Sequence, residues 1–177
     1  MIVVSNTSPL NYLILIETID VLPAVYGAIL VSPVVLRELG DPGSPDRVRS
    51  WASVPPDWLV QESPQMTASP QAVNSLDEGE AQAITLALQK SADRLLIDER
   101  ADTYVARDLG LRTIGVLGIL DLAARQELVD LPFKLSQLES ETNFRMTPKL
   151  RAHLLERDHL RRQARGARPP DQPKPHN

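Results

Sequence analysis

The feature that most constrains the fold of this chain is the alternation of short apolar runs with helical patterns. The strand-like runs lie at residues 2–5, 28–32, 58–61, 94–98 and 112–116. The helical patterns lie at residues 8–16, 33–40, 76–91, 99–110 and 118–128. Because the strand-like runs are continuously apolar, they favour strands buried on both faces of a parallel sheet. The pattern predicts an α/β fold with a central, mostly parallel sheet flanked by helices.

Three helix starts share one device, a hydroxyl residue followed by proline. The pairs are Ser8-Pro9, Ser32-Pro33 and Thr147-Pro148. The hydroxyl suits the N-cap, and proline suits the first helical position because its missing N–H is not needed there. These pairs predict helices that begin at residues 9, 33 and 148. The Pro/Ser-rich stretch 41–57 is expected to be irregular.

Length and composition indicate an ordinary globular domain. The chain has 177 residues, of which 42% are hydrophobic and 24% charged, so it is long enough to bury a core. It has no cysteine, which excludes disulfides and thiolate metal sites. No apolar run approaches the length of a membrane span, so we expect a cytoplasmic protein without membrane contact.

The chain is expected to divide into three segments of different character. We predict an α/β domain over residues 1–145, a C-terminal helix over 146–165 and a disordered Pro-rich tail over 166–177. From Arg157 onward six Arg and Lys residues accompany two Asp, although the whole chain has a net charge of −4. The acidic body disfavours phosphate binding by a basic surface unless bound cations reverse the local charge. The basic tail is interpreted either as a source of phosphate contacts or as a solvated end.

Polar residues follow the ends of the predicted strands. They are Asn6, Thr7 and Ser8 after the first strand, Glu38 in the helix after the second, Asp77, Glu78 and Glu80 at the start of the helix 76–91, and Asp98 and Glu99 at the end of the fourth strand. In open parallel sheets, ligand sites form at the carboxyl ends of the strands. We therefore expect several of these acids and the amide to converge on one site.

Converging carboxylates favour a bound cation, because without one they repel each other. Oxygen ligands without cysteine favour Mg²⁺ or Mn²⁺ over Zn²⁺. One or two such ions can activate a water and stabilise the leaving oxygen in phosphodiester cleavage. The chain contains no Walker-type phosphate loop and no G-x-S-x-G elbow, so those enzyme classes are not indicated.

Each acid also has a structural interpretation that needs no function. Asp77 and Glu80 have the D-x-x-E spacing of a capping box, in which both side chains bind backbone N–H groups of a helix start. Asp98 is compatible with a cap on the following helix. Glu38 and Glu99 are each compatible with a solvated surface position. The joint placement of these residues at strand ends favours the site.

Five separated motifs resemble those of PIN-domain proteins, specifically a PIN-like subfamily long described only as a domain of unknown function. In order, they are VVSNTSPL (3–10), VVLREL (34–39), LDEGEAQAI (76–84), LLIDER (95–100) and LGLRTIGVLGIL (109–120). The resemblance spans about residues 1–145 and implies a PIN-like three-layer sandwich with a metal-dependent ribonuclease site. It also implies the toxin of a toxin–antitoxin pair, often homodimeric and neutralised by a small antitoxin protein.

The resemblance implies a ligand set for the metal. The matching positions are Glu38, Glu80 and Asp98 as family acids, Glu99 as an accessory acid, and Thr7 or Ser8 as the supporting hydroxyl. Asn6 departs from the family pattern, which has Asp there. Asn keeps a carbonyl oxygen for the metal but removes a negative charge. The departure is compatible with an impaired enzyme, with an enzyme that uses one ion, or with a variant inactivated for study.

Two hypotheses of different class follow from these residues. The leading one is a Mg²⁺- or Mn²⁺-dependent endoribonuclease that cleaves RNA, with Asn6, Glu38, Glu80 and Asp98 at the metal. The second is a PIN-fold binding module for protein or RNA that has lost catalysis, and it is motivated by Asn6. An unrelated α/β phosphotransferase is disfavoured because no nucleophilic Asp follows the first strand.

Overall fold

The computed structural model describes residues 1–98 and 101–166. Its five strands form one sheet in the order β3-β2-β1-β4-β5. They are β1 (Val3–Ser5), β2 (Ile29–Val31), β3 (Leu59–Gln61), β4 (Arg94–Leu96) and β5 (Thr113–Ile114). Every pairing in this sheet is parallel. The predicted α/β class and parallel sheet are confirmed, and each strand is shorter than its apolar run.

Nine α-helices surround this sheet in the part of the chain that the structure describes. They are α1 (Thr7–Leu15), α2 (Val21–Tyr26), α3 (Pro33–Leu39), α4 (Asp46–Ala52), α5 (Glu78–Gln89), α6 (Ala101–Asp108), α7 (Val116–Arg125), α8 (Leu131–Glu141) and α9 (Pro148–Gly166). Two 3₁₀ turns, Met66–Ala68 and Gln71–Val73, precede α5. Each of these helices is too short or too polar to cross a membrane.

Alternate residues of the central strands enter two separate cores, one on each face of the sheet. Val3 and Leu96 join the core formed with α1, α7 and α8. Val4 and Leu95 join the core formed with α5 and α6. Successive side chains of a strand point to opposite faces, so a continuously apolar strand covers both. The result is the three-layer sandwich that the strand pattern predicts.

Two local predictions are wrong. The stretch 41–57 is not irregular throughout, because α4 lies within it. Only Val48 of α4 is fully buried, so the helix has little of the apolar periodicity that a sequence pattern can show. Helix α1 begins at Thr7 rather than Pro9, and its N-cap is Asn6 rather than Ser8.

The other two predicted helix starts are observed. Ser32 is the N-cap of α3 with Pro33 at its first position, although the Ser32 side chain makes no capping hydrogen bond. Thr147 Oγ1 accepts a hydrogen bond of 3.2 Å from the backbone N–H of Leu150, in the first turn of α9. Of the predicted tail 166–177, Gly166 is the last residue of α9, and residues 167–177 lie outside the described residues.

Helix α9 packs against α7 and α8, and charged groups fix it there. Its Leu154 enters the core on that face of the sheet. Asp121 of α7 is buried and forms ion pairs with Arg125, Arg157 and Arg161 at 3.1, 3.3 and 2.6 Å. Because two of these arginines belong to α9, the last helix is tied to the sheet-covering layer by both apolar and ionic contacts.

Candidate active site

The strand order reverses beside β1, where chain connections leave to opposite sides of the sheet. From β1 the chain proceeds to β2 and β3 on one side, and β4 and β5 lie on the other. In open parallel sheets the crevice outside the carboxyl ends of two such strands is the usual ligand site. Here Asn6 follows β1 directly, and Asp98 follows β4 by two residues. The backbone N–H of Asn6 donates to Leu96 O at 3.0 Å, so the two strand ends are adjacent.

Asn6 is buried at this switch point. Its side chain is 4% exposed, and its backbone is extended as the N-cap of α1 without forming a side-chain cap. The Oδ1 atom is buried and has no hydrogen-bond partner among the described residues. A buried amide oxygen without a partner costs free energy. It is therefore suited to a ligand that comes from outside the chain.

Glu38 reaches the same edge of the sheet from α3. The hydroxyl Oγ1 of Thr7 donates a hydrogen bond to Glu38 Oε2, which links α3 to the first residue of α1. The carboxylate also lies against the first turn of α5, because a Cβ built on Gly79 would be 2.6 Å from Glu38 Oε1. Any residue larger than glycine at position 79 would therefore displace the Glu38 carboxylate or move α5.

The first turn of α5 carries further acids close to Glu38. Asp77 is the N-cap of α5, but its side chain makes no capping hydrogen bond, so the capping-box interpretation fails for Asp77. Glu78 is exposed and pairs with Arg37 at 2.8 Å. Glu80 is half-buried in the same turn and follows the glycine that Glu38 contacts. Carboxylates are stabilised near a helix N-terminus by the helix dipole.

Asp98 is fixed by contacts with two helices. Its side chain is 8% exposed, and Oδ1 accepts a hydrogen bond of 2.8 Å from the backbone N–H of Val116, the first residue of α7. Thr103 Oγ1 of α6 donates to the Asp98 carbonyl oxygen at 2.7 Å. A Cβ on Gly115 would be 2.9 Å from Asp98 Oδ1. The carboxylate therefore caps α7, which is not the next helix in the chain.

One comparison with known proteins decides the family. A model described as the PIN domain matches residues 2–159. The chain belongs to the PIN-domain family. PIN is a nuclease-type fold, and the parallel sheet between two helical layers is consistent with it. No curated protein and no solved structure matches the chain.

The PIN site residues predicted from the sequence have different places in the structure. Asn6 and Asp98 stand at the two strand ends of the switch point. Thr7 and Glu38 are joined to each other, and Glu38 contacts the turn that carries Glu80. Ser8 is half-buried in the first turn of α1. The remaining candidate, Glu99, lies outside the described residues.

Sequence reasoning missed the residues that hold the acids in place. Gly79 and Gly115 provide the space for the carboxylates of Glu38 and Asp98, and the Val116 N–H binds Asp98. One signal was available for the first of these. A glycine inside a helical pattern lowers helix stability, so it usually has a packing or functional reason.

The oxygen donors of this PIN domain fit a sparsely coordinated divalent cation. Among the described residues, no three His, Cys, Asp or Glu side chains form a metal-binding group. Mg²⁺ commonly takes one or two carboxylates from a protein and its other ligands from water and substrate phosphates. The buried Oδ1 of Asn6 supplies a further oxygen without another partner among the described residues. The donor set therefore fits a cation shared with the substrate, and does not fit one enclosed by protein acids.

Proposed function

We propose that this PIN domain is a Mg²⁺- or Mn²⁺-dependent endoribonuclease that hydrolyses RNA phosphodiester bonds. The observation that carries the proposal is the buried Oδ1 of Asn6 at the end of β1, which has no hydrogen-bond partner within residues 1–98 and 101–166 and lies next to the strand end that leads to Asp98. Oxygen donors at a switch point are suited to a hard cation and a phosphate. The candidate ligands are Asn6, Glu38, Glu80 and Asp98, with Glu99 as an accessory. Because no three acids among the described residues form a metal-binding group, we expect one or two of these carboxylates to contact the cation directly and the others to act through water.

The chain's own residues orient these donors before a substrate arrives. The Val116 N–H holds Asp98 Oδ1, and the Thr7 hydroxyl holds Glu38 Oε2. A bound Mg²⁺ or Mn²⁺ would supply Lewis-acid stabilisation of the phosphate charge and activation of a water. Preorganised donors favour the transition state because they do not have to rearrange during the reaction. Asn6 would contribute an oxygen without a charge.

We extend the proposal to the biological role that the sequence motifs suggest. The chain would be the toxin of a toxin–antitoxin pair, homodimeric and neutralised by a small antitoxin protein. The support is the resemblance of its five motifs to PIN toxins. Co-purification with the product of a short neighbouring gene, with loss of cleavage in the complex, is the expected result. A complex that cleaves RNA as fast as the free protein would contradict this role.

The experiment for the nuclease is an RNA cleavage assay with Mn²⁺ and with EDTA. We expect metal-dependent cleavage by the protein and at least a hundredfold slower cleavage by Asp98→Asn, because the amide keeps an acceptor for Val116 but removes the charge. Asp77→Asn is the matched control, since the Asp77 side chain makes no capping bond in the same region. Equal cleavage by the protein and by Asp98→Asn would reject the assignment of Asp98.

The second candidate function is a PIN-fold module that binds RNA or protein without cleavage. The observation that favours it is the neutral amide at position 6, where the resembling family has Asp. In the same assay, activity that appears only in Asn6→Asp indicates an impaired site. If neither form cleaves RNA while both bind it, the binding module is the better description.

A further inference from the structure

A cavity of about 590 Å³ adjoins Asp98 on the β5 side of the sheet. It is bounded by the first turn of α7, by β5 and by residues 143–145 between α8 and α9. Asn6, Glu38 and Glu80 do not line it, so Asp98 is the only one of these four residues that the two spaces share. Its volume lies within the range of about 300–1,000 Å³ that small-molecule sites occupy.

The wall formed by residues 143–145 is held in place. The hydroxyl of Tyr12 donates to Asn143 Oδ1 at 3.0 Å. The rings of Tyr12 and Phe144 pack edge to face, with centroids 5.2 Å apart. Thr142 Oγ1 accepts the backbone N–H of Phe144 at 3.0 Å. This wall is therefore ordered before any ligand binds, and it presents one aromatic side chain that lines the cavity.

The cavity also offers a cationic group that favours a phosphate. Arg145 lines it and is exposed, and its hydrogen bond of 2.9 Å goes to the neutral carbonyl oxygen of Phe144. Its guanidinium forms no ion pair among the described residues. The first turn of α7 lines the opposite side, but its first N–H already binds the Asp98 carboxylate, so this helix start adds no anion site. The same space thus combines an aromatic wall with an arginine that can bind a phosphate.

We propose that this cavity binds one nucleotide of the RNA, adjacent to the phosphate that is cleaved at the Asp98 edge. The base lies against Phe144 and the nucleotide's phosphate binds Arg145. Base contacts with aromatic side chains and phosphate contacts with arginine are the usual elements of single-strand recognition. The inference rests on the proposed ribonuclease function, because that function places RNA beside Asp98.

The test is a calorimetric titration of the metal-free protein, in EDTA, with the four nucleoside 5′-monophosphates and with ribose 5-phosphate. We expect at least one nucleotide to bind more tightly than ribose 5-phosphate. Arg145→Ala should weaken the binding about tenfold or more, since a charge-assisted hydrogen bond is lost. Phe144→Leu should weaken nucleotide binding about fivefold or more and leave ribose 5-phosphate unchanged.

Lys149→Ala is the matched control, because it removes the same charge from an exposed position that does not line the cavity. Its affinity should equal that of the unchanged protein, and thermal unfolding of each variant checks the fold. Failure of all four nucleotides to bind, or equal weakening by Lys149→Ala, overturns the proposal. If the cavity instead binds a segment of a protein partner, none of the four nucleotides should bind in this titration. The titration contains no metal and measures no cleavage. Nucleotide binding can therefore be observed even if the nuclease assay shows no cleavage, and cleavage can be observed even if no nucleotide binds.

Discussion

At the scale of single residues, Asn6 would set how strongly the proposed site attracts a cation. The position is at the switch point of the sheet, and its side chain is 4% exposed. An amide there costs less burial energy than a carboxylate, because a buried charge must be paired or hydrogen-bonded. It also attracts a divalent cation less. Under the proposed function, the residue would therefore favour the stability of the metal-free fold at the expense of affinity for metal.

Exchanging this amide for an acid should reverse that balance. In EDTA we expect Asn6→Asp to lower the unfolding free energy by about 1–3 kcal/mol, because a charge is buried without a cation. With Mn²⁺ the variant should be stabilised more than the unchanged protein, and its metal affinity should rise about tenfold or more. Thermal unfolding with and without Mn²⁺, together with metal titration, measures both effects.

Asn143→Asp is the control for Asn6→Asp, because it adds the same charge to an exposed residue and keeps the acceptor for Tyr12. It should change the metal affinity little. If Asn6→Asp and the unchanged protein gain the same stability from Mn²⁺, Asn6 is not at a cation site.

At the scale of elements, the site depends on how closely α3 approaches the start of α5. Glu38 of α3 occupies the space beside Gly79 that a side chain would otherwise fill. Thr7 at the start of α1 holds the same carboxylate. Three helices that begin at the carboxyl edge of the sheet therefore meet at one acid. The packing of these helices and the position of the carboxylate cannot be changed independently.

Gly79→Ala tests this coupling. In an ordinary helix this change stabilises by up to about 1 kcal/mol, but here the new Cβ would lie 2.6 Å from Glu38 Oε1. We therefore expect the variant to be less stable, and the loss to be smaller in the background of Glu38→Asp, whose carboxylate is withdrawn by one methylene. Urea unfolding of both single variants and the double variant should give a coupling of at least about 0.5 kcal/mol. Additive changes would show that the two positions do not compete for space.

At the scale of the whole molecule, two arginines of α9 attach this helix by pairing with the buried Asp121 of α7. Burial of Asp121 by itself raises its pKa, but the hydrogen bond and charge of Arg161, with the charges of Arg157 and Arg125, hold the pKa of Asp121 below its usual value. A carboxyl whose folded pKa is lowered stabilises the fold above its unfolded pKa of about 3.9. That stabilisation is lost as the pH falls through the folded pKa.

Asp121→Asn should remove this pH-dependent contribution. At pH 7 we expect a loss of about 1–3 kcal/mol in unfolding free energy, because the arginines lose their buried partner. The unchanged protein should lose stability below about pH 4, whereas the variant should lose less over the same range. Urea unfolding at pH 7 and pH 3 measures both. Asp46→Asn is the control, because Asp46 pairs with Arg49 but its own side chain is 91% exposed. If the stability of Asp121→Asn depends on pH as steeply as that of this control, the prediction is contradicted.

The sequence by itself determined the layers of this protein and the sheet edge at which the candidate residues Asn6 and Asp98 lie. Continuously apolar runs such as residues 95–97 require burial on both faces, and helices between them require parallel strands. Parallel strands bring their carboxyl ends to one edge, so Asn6 and Asp98 could be placed together without coordinates. These inferences succeeded because they depend on periodicity and connectivity, which are local properties of the chain.

Only the tertiary structure decided how the site is held. Asp98 caps α7 through Val116, Glu38 takes the space beside Gly79, and Asp77 leaves its capping position unused. The first two of these outcomes depend on distances between segments that are remote in the sequence, and no local pattern encodes such a distance. Helix α4 was missed for a different reason, because its one fully buried residue leaves no periodic signal. A chain's local pattern fixes which surfaces must be buried, whereas side-chain packing fixes which atoms meet there.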